Sequence, residues 1–222
     1  MTLTLHYHPF SSFCQKVLVA LYERDVPFER AVLDFSDPEQ KAAFERLWPM
    51  GKFPVLRDEA RGMTVPESSL IVEYLDRVHP DPPPLVPVEP GEALKARLWD
   101  RFFDHYVEHP LQKVVGDALR PEGAGDPHGV EEAGTTLGRA YDLLEDSLGD
   151  RGSWMAGDAF TLADCGAAPA LFYANMVRPF AGRPRLEAYY SRLRARPSFA
   201  RAVDEAREFR AYFPLPWPEG WD

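Results

Sequence analysis

The first eighty residues alternate between short apolar runs and stretches whose apolar positions recur with helical spacing. Leu3–Tyr7 and Phe28–Leu33 have the length and composition of strands, whereas Ser12–Arg24 has a helical pattern. Ser36-Asp37-Pro38 then supplies a cap and a first-turn proline, which indicate the start of a second helix. This alternation predicts an α/β domain over residues 1–79.

The pattern of the next residues predicts a β-hairpin followed by a helix. Phe53–Leu56 and Met63–Val65 are short apolar runs separated by the polar segment Arg57–Gly62. Glu67–Val78 then carries apolar residues at helical spacing. The hairpin and this helix complete the predicted α/β domain.

A proline-rich segment separates this domain from a helical second half. Six prolines fall between His79 and Pro90, so residues 80–90 are predicted to form an extended linker. Residues 91–222 show no convincing strand pattern, and five segments of helical spacing predict an all-α bundle. These segments are Glu92–Leu119, Gly129–Leu148, Leu162–Val177, Leu186–Arg194 and Phe199–Phe209.

The clearest local signal in the helical half precedes its third segment. Thr161 and Asp164 have the spacing of a capping box, in which each side chain bonds the backbone N–H of the other residue. We therefore assign these two residues a structural role at a helix start rather than a catalytic one.

Composition and charge narrow the class of protein. The 222 residues carry a formal net charge of -10, without the clusters of Lys and Arg that suit a nucleic-acid surface. The two cysteines, Cys14 and Cys165, are not a disulfide framework. No apolar run approaches the roughly 20 residues that cross a bilayer, and the N-terminal pattern is not that of a secretory signal. We expect a cytoplasmic protein with no nucleic-acid or membrane partner.

Candidate chemistry begins at Ser11 and Ser12, where the first strand gives way to the first helix. The unpaired N–H groups and the positive dipole end of a helix start favour a thiolate or another anion. Serine hydroxyls at this position either cap the helix or point towards a ligand. The segment alone leaves both interpretations open.

Two other segments come close to this turn if the sheet follows the order of its strands. Pro54 opens a strand directly after Phe53, a context that admits a cis peptide bond. Pro66-Glu67-Ser68-Ser69 opens a helix with a carboxylate, two hydroxyls and free N–H groups. Such a helix start suits a ligand that carries both an ammonium and a carboxylate group.

In their order and spacing, four motifs resemble the glutathione transferase family over essentially the whole chain. They are Ser11–Val17, Phe53–Leu56, Pro66–Ser68 and Phe160–Asp164. The resemblance implies a thioredoxin-like N-terminal domain, with a mixed four-stranded sheet and helices, followed by an all-α domain. It also implies glutathione as cosubstrate, chemistry that needs no metal, and a homodimer.

The same resemblance implies roles for single residues in holding glutathione. Pro54 matches a cis-proline, and the backbone of Phe53 matches the residue that pairs with the peptide of glutathione. Glu67 and Ser68 match the pair that holds the γ-glutamyl end. Lys52 stands where a basic residue meets the glycine carboxylate.

Ser11 matches the catalytic serine of serine-type members, and Ser12 is the fallback donor. A serine hydroxyl donates a hydrogen bond to the glutathione sulfur, whereas a cysteine at this position favours mixed disulfides. Lowering a thiol pKa by about two units requires roughly 2.7 kcal/mol. A hydrogen bond to a charged group supplies roughly 1.5–3 kcal/mol and a helix terminus about 0.3–1 kcal/mol. The hydroxyl is therefore the larger contribution.

An electrophile pocket is expected between the two domains, where small-molecule sites are common. Phe10, Phe103 and Tyr106 are its candidate lining residues, and His109 stands close to the last two in sequence. The tail from Pro214 to Trp221, rich in proline and tryptophan, is a candidate cover for this cleft.

We therefore expect a glutathione transferase that uses Ser11 to activate glutathione for attack on a small apolar electrophile. Two alternatives stay open. One is a glutathione-transferase-like binding or regulatory module with little catalysis, and the other is a thiol reductase or peroxidase that uses Cys14. Cys14 occupies the second cysteine position of a redox motif whose first cysteine is absent, which favours a buried structural role.

Overall fold

The computed structural model describes residues 3–81, 83–149 and 152–217. Its first part contains a four-stranded mixed sheet in the order β2-β1-β3-β4, with β1 parallel to β2 and the other neighbours antiparallel. The strands are β1 (Leu3–Tyr7), β2 (Glu29–Val32), β3 (Val55–Asp58) and β4 (Met63–Pro66). The predicted α/β class and the predicted β3–β4 hairpin are confirmed.

Three helices accompany the sheet, and two of them begin at side chains that cap their free N–H groups. They are α1 (Ser12–Glu23), α2 (Pro38–Leu47) and α3 (Ser68–Val78). The Ser11 hydroxyl accepts a hydrogen bond from the Cys14 N–H, and the Asp37 carboxylate accepts from two N–H groups of α2. The start of α2 at Pro38 agrees with the sequence signal.

Helices also make up the second half of the described chain. They are α4 (Pro90–Phe102), α5 (His109–Ala118), α6 (Pro127–Ser147), α7 (Leu162–Val177), α8 (Pro184–Arg194) and α9 (Pro197–Ala206). A π-turn, Phe103–Glu108, joins α4 to α5, and a 3-10 turn, Arg207–Tyr212, follows α9. None of the helices in the described part of the chain is both long and apolar enough to cross a membrane.

The π-turn divides the helix that the sequence predicted over Glu92–Leu119. Pro110 has no N–H to donate to the carbonyl of the preceding turn, so the regular bonding pattern cannot continue through this position. A π-type turn is rare, and where it interrupts an α-helix it is frequently found at a functional site. It changes which side chains of this long segment face the sheet.

Helix α1 lies at the centre of the molecule and joins its two halves. One face of β1, with Leu3, Leu5 and Tyr7, is buried beneath it, and α3, α7 and α9 pack around it. A single buried apolar cluster runs from β1 through α1 to α7. Because burying one leucine contributes about 1.5–3 kcal/mol, this shared core holds the two halves together.

The predicted capping box at the start of α7 is confirmed. The Asp164 carboxylate accepts hydrogen bonds from the N–H of Thr161 at 2.9 Å and from its hydroxyl at 3.1 Å. It also accepts from the Met155 N–H at 2.9 Å and the Tyr189 hydroxyl at 2.6 Å. Asp164 is fully buried, so these four donors fix the start of α7 against α8 and the preceding loop.

Candidate active site

A cleft of about 760 Å³ opens between the sheet and the helical half. The N-terminal turn of α1, the start of β3 and the start of α3 form one wall. The end of α4, the π-turn and α5 form the opposite wall, and the segment after α9 closes one end. From the first wall the cleft is lined by Phe10, Ser11, Ser12, Phe13, Phe35, Gly51, Lys52, Phe53 and Glu67.

Ser11 is a half-buried residue at the N-cap of α1, facing this cleft. Its extended backbone, with φ -84° and ψ 125°, turns the chain from β1 into the helix. Its Oγ accepts a long hydrogen bond, 3.4 Å, from the Cys14 N–H, and its own N–H donates to the His8 carbonyl at 3.0 Å. The hydroxyl proton of Ser11 remains available to a ligand, so one side chain can both cap the helix and donate into the cleft.

Ser12, the next residue, has a different environment. Its hydroxyl donates to Glu108 Oε2 at 2.9 Å, and the two residues are only 5% and 3% exposed. Burial, partly offset by this hydrogen bond, raises the pKa of Glu108 to about 7. When Glu108 is ionised, the Ser12 proton is engaged with the carboxylate and cannot also be donated to a ligand.

The cis peptide bond predicted between Phe53 and Pro54 is present. Phe53 lines the cleft and its ring lies 5.3 Å from that of Phe35, while Pro54 is buried at the start of the hairpin. Lys52 lines the cleft from an exposed position. The three consecutive residues therefore place a backbone segment and a cation beside the start of α1.

Glu67 lies in the left-handed region of backbone space, with φ 68°, at the N-cap of α3. A non-glycine residue there costs roughly 1–3 kcal/mol, and such strain is concentrated at ligand sites. Its side chain does not cap α3 and instead lines the cleft. Ser68 is buried in the first turn of the same helix, and of the expected Glu67–Ser68 pair only Glu67 lines the cleft.

Cys14 is fully buried in the core. Burial raises the pKa of its thiol to about 12, against the smaller opposing effects of the nearby Ser11 side chain and the His8 backbone. At neutral pH the sulfur is therefore protonated and shielded from substrates. This geometry contradicts the interpretation in which Cys14 acts as a nucleophile.

Two of the three residues expected in the electrophile pocket do not line the cleft. Phe10 does, but Phe103 is fully buried in the core, with its ring 5.9 Å from that of Phe102. Tyr106 is half-exposed, and its ring lies 5.3 Å from the ring of Phe102. The π-turn turns these positions away. The helical wall is instead formed by Arg101, Asp104, His105, His109, Leu111, Gln112, Val115 and Tyr173.

The segment after α9 covers part of the cleft. Tyr212, Phe213 and Pro214 line it, and Trp217 packs against Phe10, with 6.3 Å between ring centroids. Of the predicted cover, Pro214 lines the cleft and Trp217 contacts it only through Phe10, while residues 218–221 lie outside the described part of the chain. Among the described residues, no group of His, Cys, Asp and Glu side chains is arranged to hold a metal ion.

The fold and the cleft define a thioredoxin-like protein extended by a helical second half. A family model for the glutathione S-transferase N-terminal domain matches residues 5–83, and one for the glutathione S-transferase C-terminal domain matches residues 127–192. Glutathione S-transferase 3 of Zea mays is 32% identical over 225 residues, which cover 97% of this chain and 96% of that protein. The chain belongs to the glutathione S-transferase family.

Two further similarities bear on the cleft. A glutathione S-transferase from Methylobacillus flagellatus KT, solved with glutathione bound, is 27% identical with a TM-score of 0.81 and covers 90% of this chain and 98% of that chain. FtsZ-localized protein A of Caulobacter vibrioides is 29% identical over 206 residues, which cover 88% of each chain.

Proposed function

We propose that this protein binds glutathione in the cleft and that Ser11 donates a hydrogen bond to the sulfur, which attacks a small apolar electrophile as the thiolate. The observation that carries the proposal is the free hydroxyl proton of Ser11 at the cleft-facing start of α1. Backbone N–H groups of the same helix start add a favourable field for the anion. The family membership and the glutathione-bound relative support glutathione as the cosubstrate.

The different environments of the two serines favour Ser11 over Ser12 as the donor. Among the described residues, the Ser11 hydroxyl accepts a hydrogen bond from the Cys14 N–H, and no group is hydrogen-bonded to its proton. Ser12 already donates to Glu108. Recruiting Ser12 for the thiolate would leave a buried carboxylate without its donor, which costs roughly 1–3 kcal/mol.

Residues on the sheet side of the cleft supply the remaining contacts to glutathione. The Glu67 carboxylate suits the ammonium group of the γ-glutamyl end, because it carries the opposite charge. The start of α3 at Ser68 suits the carboxylate of the same end, because it offers N–H and O–H donors. The backbone of Phe53, beside the cis-proline Pro54, suits the central peptide of glutathione. Lys52 suits the glycine carboxylate.

The electrophile would lie between the sulfur and the helical wall. Apolar surface from Phe10, Leu111, Val115, Tyr173 and Phe213 borders this part of the cleft, which suits a small apolar substrate. His109 and Gln112 line the same wall, and their polar groups suit one polar substituent on the substrate.

Substitution of Ser11 tests the proposal. Ser11→Ala removes one hydrogen bond to a charged sulfur, roughly 1.5–3 kcal/mol, so kcat/KM with a chlorodinitrobenzene should fall roughly 10- to 100-fold. Asp37→Ala is the matched control, since it removes the cap of α2 on a helix start that does not line the cleft. It should leave kcat/KM unchanged. Full turnover in Ser11→Ala would exclude Ser11 from the mechanism.

We also infer a homodimer, supported by an exposed apolar face on α3 and α4. Leu70, Leu94 and Leu98 are 51%, 69% and 60% exposed. An ion pair between Glu73 and Arg97 joins the two helices. Leu70 lies one turn before Glu73 and Leu94 one turn before Arg97, so the two leucines share a face. Sedimentation should give twice the mass of the chain, and Leu98→Glu should shift the mass towards that of one subunit. A wild-type mass of one subunit at micromolar concentration would contradict the dimer.

We also propose a cytoplasmic location. The two buried cysteines form no disulfide, which suits a reducing compartment.

A second candidate is a binding or regulatory module with little catalysis. The similarity to FtsZ-localized protein A favours it, because that protein is named for a location on a partner rather than for a reaction. This candidate predicts that glutathione, if it binds, keeps an ordinary thiol pKa. Turnover that depends on Ser11 would exclude it.

A further inference from the structure

Behind the cleft-facing serines lies a buried carboxyl group that the proposed function does not use. Glu108 is the last residue of the π-turn, and the turn directs its side chain towards the first turn of α1. There Oε2 accepts the Ser12 hydroxyl at 2.9 Å, while Oε1 has no hydrogen-bond partner among the described residues. Ser12 itself lines the cleft, so one hydroxyl connects the cleft to this carboxyl group.

The groups that face Glu108 do not neutralise its charge. Among the described residues, no cation forms an ion pair with it. Lys16 of α1 acts on Glu108 from a distance, but its ammonium is bound by Asp100 and Asp104. Asp104 of the π-turn repels the Glu108 charge, and Tyr173 of α7 faces it as a neutral phenol. The Gln112 amide of α5 is near and favours the charged form.

We propose that Glu108 takes up, through the hydroxyl of Ser12, the proton that glutathione loses when it becomes a thiolate. The S–H bond breaks and its proton goes to Ser12 Oγ. The proton of the Ser12 hydroxyl passes to Glu108 Oε2, so that a thiolate, a neutral serine and a neutral carboxylic acid result. No oxidant or other reactant is needed. This inference rests on the proposed function.

The charge and burial of the site support this direction of transfer. A thiolate and an ionised Glu108 would place two like charges close together in a site of low polarity, which is unfavourable. Transfer of the proton keeps the site at one negative charge. The pKa of Glu108, about 7, also places the group near the pH at which a proton acceptor is most effective. Glu108 acts through Ser12 and makes no contact with glutathione.

Proton release on glutathione binding tests the inference. Calorimetric titrations in buffers of different ionisation enthalpy measure it at pH 7.5, and the absorbance of the thiolate is followed in parallel. With an ordinary free thiol pKa of about 8.5 and a bound pKa about two units lower, thiolate formation without an internal acceptor releases roughly 0.8 proton. A Glu108 that takes up part of this proton should reduce the release in the wild type to less than about half of this value.

Glu108→Gln is the decisive variant, because glutamine has the same shape and can still accept the Ser12 hydroxyl. It should form the thiolate and release roughly 0.8 proton. S-methylglutathione is the matched control ligand, since it has no thiol proton, and it should give the same proton release with both proteins. Ser12→Ala tests the route separately. In stopped-flow mixing, the thiolate absorbance should appear at least roughly tenfold more slowly in this variant, because the transfer path is interrupted.

The outcomes separate the two proposals. If the wild type forms a thiolate and releases the same number of protons as Glu108→Gln, the role of Glu108 is overturned while the role of Ser11 stands. An unchanged rate in Ser12→Ala overturns the route through its hydroxyl. If the wild type forms no thiolate, both the proposed function and this inference fail.

Discussion

Two buried charged clusters connect α1 to the helical half, and they differ in charge balance. In the first, the Lys16 ammonium is bound by Asp100, by Asp104 at 3.1 Å and by the Ser69 hydroxyl at 2.9 Å. In the second, the Ser12 hydroxyl donates to Glu108 Oε2 at 2.9 Å and the Gln112 amide lies near, but no cation among the described residues forms an ion pair with Glu108. Burial raises the pKa of Asp100 as well, but the first cluster pairs its carboxylates with a cation, whereas the second holds a carboxyl group without one.

The pKa values follow this difference. Burial alone would lower the pKa of Lys16, but the nearby carboxylates of Asp100 and Asp104 outweigh burial and raise it. Burial raises the pKa of Glu108 to about 7, opposed by the Ser12 hydrogen bond and by the more distant Lys16, while no cation among the described residues pairs with it directly. A buried acid without a counter-ion costs stability, and here it stands one side chain away from the cleft. We therefore expect a structural role for the Lys16 cluster and a functional role for Glu108.

Removing the Lys16 cation from the first cluster should have the largest effect on stability. Lys16→Met removes the buried cation of Asp100 and Asp104 and leaves them only the longer contacts with the exposed Arg101, at 3.9 and 3.7 Å, so the free energy of unfolding should fall by about 3 kcal/mol. Urea denaturation at pH 7 measures this loss. Arg97→Met, which breaks the exposed ion pair with Glu73, is the control and should cost less than about 1 kcal/mol. Equal losses in the two variants would contradict the structural importance of the Lys16 cluster.

Removing the titrating charge of the second cluster should change the pH dependence of stability. The pKa of Glu108 is higher in the folded chain, about 7, than its ordinary value of 4.5, so the folded state binds this proton more tightly. Stability is therefore lost as pH rises from about 4.5 through 7, by about 3 kcal/mol, and is level above that range. The difference in unfolding free energy between Glu108→Gln and wild type should grow by this amount. A difference that is constant between pH 5 and 8 would show that Glu108 does not titrate in this range.

A third buried titratable group of α1, Cys14, should show the smallest effect. Its thiol is protonated, has no cation beside it and does not reach the cleft, so Cys14→Ala should cost about 1 kcal/mol of packing. Turnover with glutathione should stay within about twofold of the wild type, because this substitution leaves the transition-state contacts intact. Loss of a glutathione-dependent disulfide-reducing activity in this variant would restore the reductase interpretation.

The parts of the fold that depend on neighbouring residues were predictable from the sequence. The Thr161–Asp164 capping box, the start of α2 at Asp37 and the β3–β4 hairpin are each encoded within a few positions. The cis bond before Pro54 was predictable from the family resemblance together with a strand-opening proline. Local chemistry was sufficient for the first three features, whereas the fourth also needed the resemblance.

The parts that depend on packing were not predictable. Phe103 and Tyr106 were expected in the cleft because regular helical spacing was assumed, and the π-turn places them elsewhere. Ser12 and Glu108 are separated by 96 positions, and a glutamate within a helical pattern is by itself typical of an exposed face. Only the docking of α1 against the helical half brings these two residues together.

The central claim is that Ser11 stabilises the thiolate of bound glutathione, and a pH titration of the thiolate absorbance tests it most directly. For the wild type the bound thiol should have a pKa about one to two units below that of free glutathione, which is the value of one hydrogen bond to a charged sulfur. In Ser11→Ala the pKa should return most of the way to the free value, while Asp37→Ala should behave as the wild type. An ordinary thiol pKa in the wild type, or an equally lowered one in Ser11→Ala, would contradict the account.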